Sequence, residues 1–462
     1  MTKNTSIPTE LGTEKIGKLL KQYALPAIIA QTAASLYNMV DSIFIGQGVG
    51  PLAISGLAIT FPLMNLSTAF GTLVGAGAAT MLSVLLGQKN YKAANKVLGN
   101  VVSLNIIIGM LFMAVSLIFI DPILYFFGAS ENTLPYAKEY ITIILIGNVI
   151  THLYFGLNAA MRSSGNPKKA MGLTIFTVLF NTILDPIFIF VFDMGIAGAA
   201  WATVISQTAA MLVVLHHFNN RKRPFHFERG ILRLELRVAK DSLAIGMGPF
   251  LMNAAACLVT LFINQQLRDH SGDLGIGAFG ICNRFIFMFI MICMGLNQGM
   301  QPIAGYNFGA RQYSRVKEVF WQTAKMGTIV TSICFVLGMF FPNAAVGIFT
   351  HDPELTELSV RALRLITIAF PIVGLQMIGT NFFQSLGMVK KSVILSLSRQ
   401  ILFLIPLIYF LPNSIGADGV WLSFPISDFF ATLLTLFMLN RLFKKFNRLH
   451  DGDSASGLGG QI

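Results

Sequence analysis

Twelve stretches of this chain are apolar and long enough to cross a bilayer, which takes about 20 mostly apolar residues per helix. They run over 19–45, 52–86, 97–120, 136–161, 171–192, 195–218, 242–267, 276–305, 319–341, 361–386, 393–411 and 420–440. The expected fold class is therefore all-α and integral to the membrane. The gap at 193–194 is so short that the fifth and sixth runs must form a tight hairpin. Charged residues make up only 12% of the chain, against about 25% in an ordinary soluble domain. The polar N-terminus before the first run lacks a small-residue cleavage site, so no removable signal peptide is expected.

A net charge of +12 would fit nucleic acid if the charge lay on one patch, but most of it lies in alternate loops and at the two ends. Lys3, Lys15, Lys18 and Lys21 open the chain, and Lys89, Lys92 and Lys96, then Arg162, Lys168 and Lys169, follow. The run from Arg221 to Lys240, then Arg311, Arg315, Lys317, Lys390 and Lys391, and the tail with Arg441, Lys444, Lys445 and Arg448 complete the set. The intervening loops carry Asp121, Glu131, Asp193, Asp269, Asp273, Asp352, Glu354 and Asp418. This is the positive-inside pattern: it predicts a cell inner (plasma) membrane protein with both termini cytoplasmic and no nucleic-acid partner. Cys257, Cys282, Cys293 and Cys334 all lie in the apolar runs without metal-like spacing and read as packing residues.

The chain repeats itself at an offset of about 222 residues. GQKNYKAANKV (87–97) matches GARQYSRVKEV (309–319), NAAMRSSGNPKK (158–169) matches NFFQSLGMVKK (381–391), and GIAGAAWATVIS (195–206) matches GADGVWLSFPIS (416–427). Gly71 and Gly75 answer to Gly295 and Gly299, a small-xxx-small spacing that lets helices approach closely. Six runs per half is an even number, so the halves enter the membrane in the same orientation, as parallel repeats around a cavity. The expected organisation is a six-helix lobe at 1–218, a cytoplasmic linker at 219–241, a second six-helix lobe at 242–440 and a polar tail at 441–462.

Against this background Asp41 stands out: from Ala24 to Ile45 no other side chain is charged. A carboxylate at the bilayer centre costs about 2.5–3.5 kcal/mol even on lenient insertion scales. A second acid, Asp185, lies deep in NTILDPIFIF (181–190). At the repeat offset Asp41 corresponds to Asn264, and Asp185 falls near Ile405, so only the first half keeps the acids. Helical spacing sets Tyr37 and Asn38 beside Asp41 and Asn181 beside Asp185, and Asn158, Thr203 and Gln207 add polar groups to the same half. Carboxylate, amide and hydroxyl oxygens are the ligands hard cations prefer. Burial and a second nearby acid also favour the neutral form of a carboxylate, which suits proton uptake. Pro26, on the same run as Asp41 and nearer its start, removes a backbone donor and favours a bend there, making it the candidate hinge. Asp428, on the twelfth run, reads as wetted near an outer end.

YNMVDSIFIGQGVG (37–50), the Arg-Ser-Ser-Gly-Asn-Pro run at 162–167, NTILDPIF (181–188), GIAGAAWATVISQ (195–207) and QPIAGYNFGARQ (301–312) together resemble the multidrug and toxic compound extrusion (MATE) transporters. NTILDP, with a second half poor in deep carboxylates, is similar to the DinF-like branch and its MepA-like exporters. The resemblance implies an ion-coupling site of Asp41, Asp185, Asn181 and Thr203 with Tyr37 close by. The first four would be the metal ligands if the ion is Na⁺. It implies no cofactor, no enzymatic activity, and an antiporter in which H⁺ or Na⁺ enters while an amphipathic, cationic organic compound leaves by alternating access. Gln31, Phe61, Asn65, Asn158, Met288, Met291 and Gln376 are candidate lining residues of a substrate cavity. The expected partners are a small-molecule substrate and the lipid bilayer, with the protein a monomer. A flippase for a lipid-linked saccharide would need several basic residues in the cavity, for which Arg284 and Arg399 are the candidates in the runs. A membrane-embedded enzyme holding Mg²⁺ on phosphate would need an Asp-rich loop, and the chain has neither that nor a P-loop GxxxxGK[ST].

Overall fold

In hydrocarbon no water is available to backbone N–H and C=O groups, and a continuous apolar run satisfies them by forming a helix. The computed structural model describes residues 9–221, 223–227, 234–350 and 352–453, and among these there is no strand. Nine helices among the described residues are long and apolar enough to cross a membrane, and eleven if each of two bent pairs is one span. The helix Ile16–Gly48, of 33 residues or about 50 Å, completes the twelve.

The first half contains the spans Ile16–Gly48, Pro51–Gly87 and Tyr91–Ile118. The fourth span is bent by 53° between Leu134–Ile146 and Asn148–Ser163. The fifth, Pro167–Pro186, continues through a π-helical turn at Ile187–Val191, and the sixth is Gly195–Asn219. The second half contains Leu236–Gly272, Leu274–Gly309 and Tyr313–Phe340, then a tenth span bent by 56° between Pro353–Thr367 and Phe370–Ser385. Val389–Ile415, with a π-helical stretch at Ser398–Leu404, and Ala417–Phe446 end it. The seventh span is already helical at Leu236, inside the stretch read from sequence as linker.

The repeat is written into the backbone. Gly50 and Gly272, Lys89 and Arg311, Gly165 and Gly387, and Gly195 and Gly416 all have positive φ, and each pair falls at equivalent positions of the two halves. Lys89 and Arg311, both at φ 59°, are non-glycine residues in a conformation L side chains rarely adopt. A shared fold requires it of both.

The chain forms two compact units that exchange segments. One contains Ile29–Phe250; the other contains Glu14–Ile28 and the chain from Leu251 onward. Ile28 and Phe250 are themselves equivalent positions of the two halves, so the exchange obeys the repeat. Its contacts show how. A Cβ on Gly299 or Gly295 would run into the backbone of Ala24 or Ile28. In the other unit a Cβ on Gly77 would meet the carbonyl of Ser242, and one on Gly246 the carbonyl of Leu73. At the 222-residue offset of the positive-φ pairs, the positions equivalent to Gly295 and Gly299 are Leu73 and Gly77, not the Gly71 and Gly75 of the sequence match. Gly71 instead lies against the ring of His152, and Gly75 against Gly156.

Candidate ion-coupling site

The fifth span reverses the usual layout of a helix in a soluble protein. Phe176, Leu179 and Ile183 are exposed, whereas Asn181 and Asp185 are buried. Exposed apolar side chains suit a lipid-facing surface, and intramembrane polar residues face the bundle interior. Asp185, fully buried, lies one turn after Asn181. With its amide oriented to satisfy the hydrogen-bond network, Asn181 donates to Asp185 Oδ2 at 2.8 Å and accepts from Thr203 N at 3.0 Å. The same amide oxygen accepts from the Thr203 hydroxyl at 3.3 Å. Fifth and sixth spans are thus tied together by neutral groups around one carboxylate.

Asp41, on the first span, is 5% exposed, and its Oδ1 has no hydrogen-bond partner among the described residues. It is near enough to Asp185 for the two charges to interact. Among the described residues neither acid forms an ion pair. One turn beyond each acid the packing is apolar: Ile45 and Ile189 pack with Ala53, Leu57, Ile196, Ala199 and Ala200. Phe44 meets Phe190 edge-on, and a Cβ on Gly48 would strike Ile189. The acids therefore sit beneath an apolar plug, in surroundings where an uncompensated charge is costly.

Asp41, Asp185, Asn181 and Thr203, named from sequence, all lie in one compact unit, with Asn181 joining Asp185 to Thr203. The side chains of Tyr37 and Asn38 lie outside the described residues. Pro26 is buried in a helix that runs unbroken from Ile16 to Gly48. Of the cavity candidates, Phe61, Asn65 and Met288 are exposed and Gln31 half-buried, while Met291 and Gln376 are buried. Asn158 is buried and donates to the carbonyl of Ala170 at 3.1 Å. An apolar cleft of about 550 Å³ elsewhere, lined by Ile368, Pro371, Leu422, Pro425, Ile426 and Phe429, includes none of them.

Two features escaped the sequence reading. Asp428 is not wetted: it is 1% exposed and ion-paired with Arg399 of the π-helical stretch. The repeat places this pair near Thr177 and Ser206, so the eleventh and twelfth spans are joined by a closed ion pair where the fifth and sixth are joined by amide and hydroxyl. Arg399 is thereby committed to Asp428, and Arg284 is exposed, which leaves neither as a free buried cation for a diphosphate. The second feature is a buried cluster just past the bend of the fourth span, where Ser67 donates to Asn148 and contacts His152 Nε2 at 3.2 Å. Both depend on contacts between spans, which local pattern does not carry.

The MatE family model matches residues 26–187 and 245–410. The Multidrug export protein MepA of Staphylococcus haemolyticus (strain JCSC1435) is 26% identical over 427 residues, covering 92% of this chain and 94% of that protein. The solved structure of the MATE multidrug transporter DinF-BH is 36% identical, with a TM-score of 0.88 over 95% of this chain and 98% of that one. A MATE protein in a bent conformation, 22% identical, shares the fold with a TM-score of 0.90 over 97% of this chain and 99% of the other. A twelve-span helical protein of this kind is a membrane transporter. The chain belongs to the MatE family, and its relatives fall on the DinF and MepA side of it, as the NTILDP segment implies.

Proposed function

We propose that this protein exports small amphipathic organic compounds, cationic ones among them, in exchange for H⁺ or Na⁺ bound at Asp41 and Asp185. The observation that carries the reading is a pair of buried, interacting carboxylates with no basic partner among the described residues. An ion pair of the Asp428–Arg399 kind already holds its counter-charge. The acids of the first unit must take theirs from outside, and an exchangeable cation is the one a transporter can use. Asn181 and Thr203 supply further oxygens for Na⁺ or hydrogen bonds for a protonated acid. The names of the MepA and DinF-BH relatives support a drug-like cargo. The placement of the lysines and arginines supports a plasma-membrane protein with both termini in the cytoplasm.

The cycle follows from differential stability. With both acids neutralised, by two protons or by one proton and a cation, the site can close under the apolar plug; with that charge lost, the acids require water or polar partners. A ligand shifts such an equilibrium only by its differential affinity for the two states. The decisive experiment is efflux of a cationic dye from proteoliposomes under separately imposed pH and sodium gradients, for wild type and Asp41→Asn. One gradient or the other should drive the wild type, and neither should drive the variant. Near wild-type efflux by Asp41→Asn would remove the acid from the mechanism.

A further inference from the structure

The exposed face of the tenth span changes character partway along. Glu354, Glu357, Arg361, Arg364 and Ile368 follow one another at spacings of three, four, three and four, which puts them on one face. All five are exposed. From Leu365 to Val389 the chain carries no charge, a run long enough to cross hydrocarbon. Arg361 and Arg364 therefore stand at the level of the lipid headgroups, with Ile368 just beneath. The twelfth span, in the same compact unit, has a matching layout. Asp418, Leu422, Ile426 and Phe429 share a face, and Asp418 pairs with Arg361 across the gap between the two spans.

One to two turns further along each span lies the apolar cleft of about 550 Å³, at the level of the 56° bend. Its twelfth-span wall, Leu422 to Phe430, covers about 12 Å of helix, close to the hydrocarbon depth of one leaflet. Ile368, Phe429 and Phe430 are exposed, so the cleft is open at the surface of the unit. Every side chain that lines it is a hydrocarbon. A drug-sized ligand is oriented by a few polar groups within its pocket, and here polarity is confined to the rim. That distribution fits an amphiphile with a charged end and an apolar tail. At the rim Arg361 is balanced by Asp418, whereas Arg364 forms no ion pair among the described residues. Glu357 lies about 10 Å further out along the helix. The rim thus carries an excess positive charge, on a guanidinium whose fork suits a phosphate.

We infer that the cleft between the tenth and twelfth spans binds a phospholipid of net negative charge. One acyl chain lies along Ile368, Ile372, Leu422 and Ile426, and the phosphodiester accepts hydrogen bonds from Arg364. The lipid belongs to the leaflet at the end of the twelfth span away from Phe446. A zwitterionic lipid fits less well, because its ammonium would compete with Arg361 for Asp418. The tail packs where the tenth span changes direction, so the bound lipid braces that bend.

The test is native mass spectrometry of the full-length protein, incubated in detergent with equal amounts of dioleoyl phosphatidylglycerol and dioleoyl phosphatidylethanolamine. Wild type should retain the anionic lipid over the zwitterionic one by about fivefold, the worth of one basic residue at a membrane surface. Arg364→Gln should abolish that preference and Arg364→Lys should keep most of it. Arg441→Gln, near the opposite end of the twelfth span, should leave it unchanged. Ile426→Trp fills the cleft and should remove most of the retained phosphatidylglycerol. Ile368→Trp, at an exposed position, serves the same purpose if Ile426→Trp misfolds. Equal retention of the two lipids by wild type, an equal loss of preference in Arg441→Gln, or undiminished retention with tryptophan in the cleft would overturn the site.

Discussion

At the scale of single residues, three buried acids meet three different fates. Asp41 has no basic partner among the described residues, Asp185 is held by neutral groups, and Asp428 is paired with Arg399 through one oxygen while its Oδ2, like Asp41 Oδ1, has no hydrogen-bond partner among the described residues. Charge compensation separates their roles, and it yields opposite expectations for similar substitutions. Asp185→Asn removes a charge that nothing described in its unit balances, so the protein should melt at the same temperature or higher while driven efflux falls to background. Asn264→Ala, beside Ile263, the position equivalent to Asp41 at the offset of the backbone repeat, should reduce efflux far less. Arg399→Met strands a buried carboxylate, which costs about 3–5 kcal/mol, toward the lower end because the Arg399 side chain is 27% exposed. The double change Arg399→Met with Asp428→Leu should recover most of that loss. Thermal unfolding in detergent reads Asp185→Asn, Arg399→Met and the double variant, and dye efflux from proteoliposomes reads Asp185→Asn and Asn264→Ala. Asp41 and Asp185 were legible in the sequence because a charge in an apolar run is conspicuous. The pairing of Asp428 was not, since its partner lies far back along the chain on another span and no local pattern links them.

Elements differ in what breaks them. The first span carries a proline at position 26 and stays helical, whereas the fourth bends by 53° at Gly147 with no proline there. The tenth bends by 56° just ahead of Pro371. A proline inside a helix is a weak point rather than a bend in itself, because it removes one ladder bond and leaves the neighbours to decide. Pro26 lies two positions before the helix passes from one compact unit to the other. Pro26→Ala restores the ladder there, so ion binding at Asp41 should persist while efflux slows. A spectroscopic titration of the site beside a turnover measurement would separate the two effects, and unchanged turnover would make the proline architectural. Glycines give a cleaner contrast. A methyl group on Gly172 would meet nothing within 4 Å, so Gly172→Ala should stabilise the fifth span by up to about 1 kcal/mol. Gly299→Ala drives a methyl into the backbone of Ala24 and should destabilise or abolish folding, judged by monodispersity on gel filtration.

Across the whole molecule, the twelve spans, the twofold repeat and the concentration of acids in the first half could all be read from sequence. Each is a periodic or compositional signal. The exchange of segments could not. Nothing in the apolar runs says that Glu14–Ile28 packs with the second repeat or that 236–250 packs with the first. Only the glycines at 77, 246, 295 and 299 hint at it, and their meaning emerges when their contacts are known. The exchange predicts that the chain 1–219, expressed alone, fails to form a stable six-span body, because the segment that packs at Leu73 and Gly77 is missing. Co-expression with 220–462 should restore both stability and efflux, measured by co-purification and dye accumulation in cells.

The same exchange has a consequence in time. Gly299, the packing partner of Ala24, belongs to the other repeat and is made long after it. At about 5–20 residues per second, the ribosome needs on the order of 15–50 s to add the roughly 270 residues between Ile28 and Gly299. Throughout that interval the part of the first helix around Ala24 and Ile28 waits with its permanent neighbour unmade. The start of the protein is therefore among the last parts to find its place. During synthesis, lipid or the insertion machinery must occupy the face that the eighth helix will finally cover.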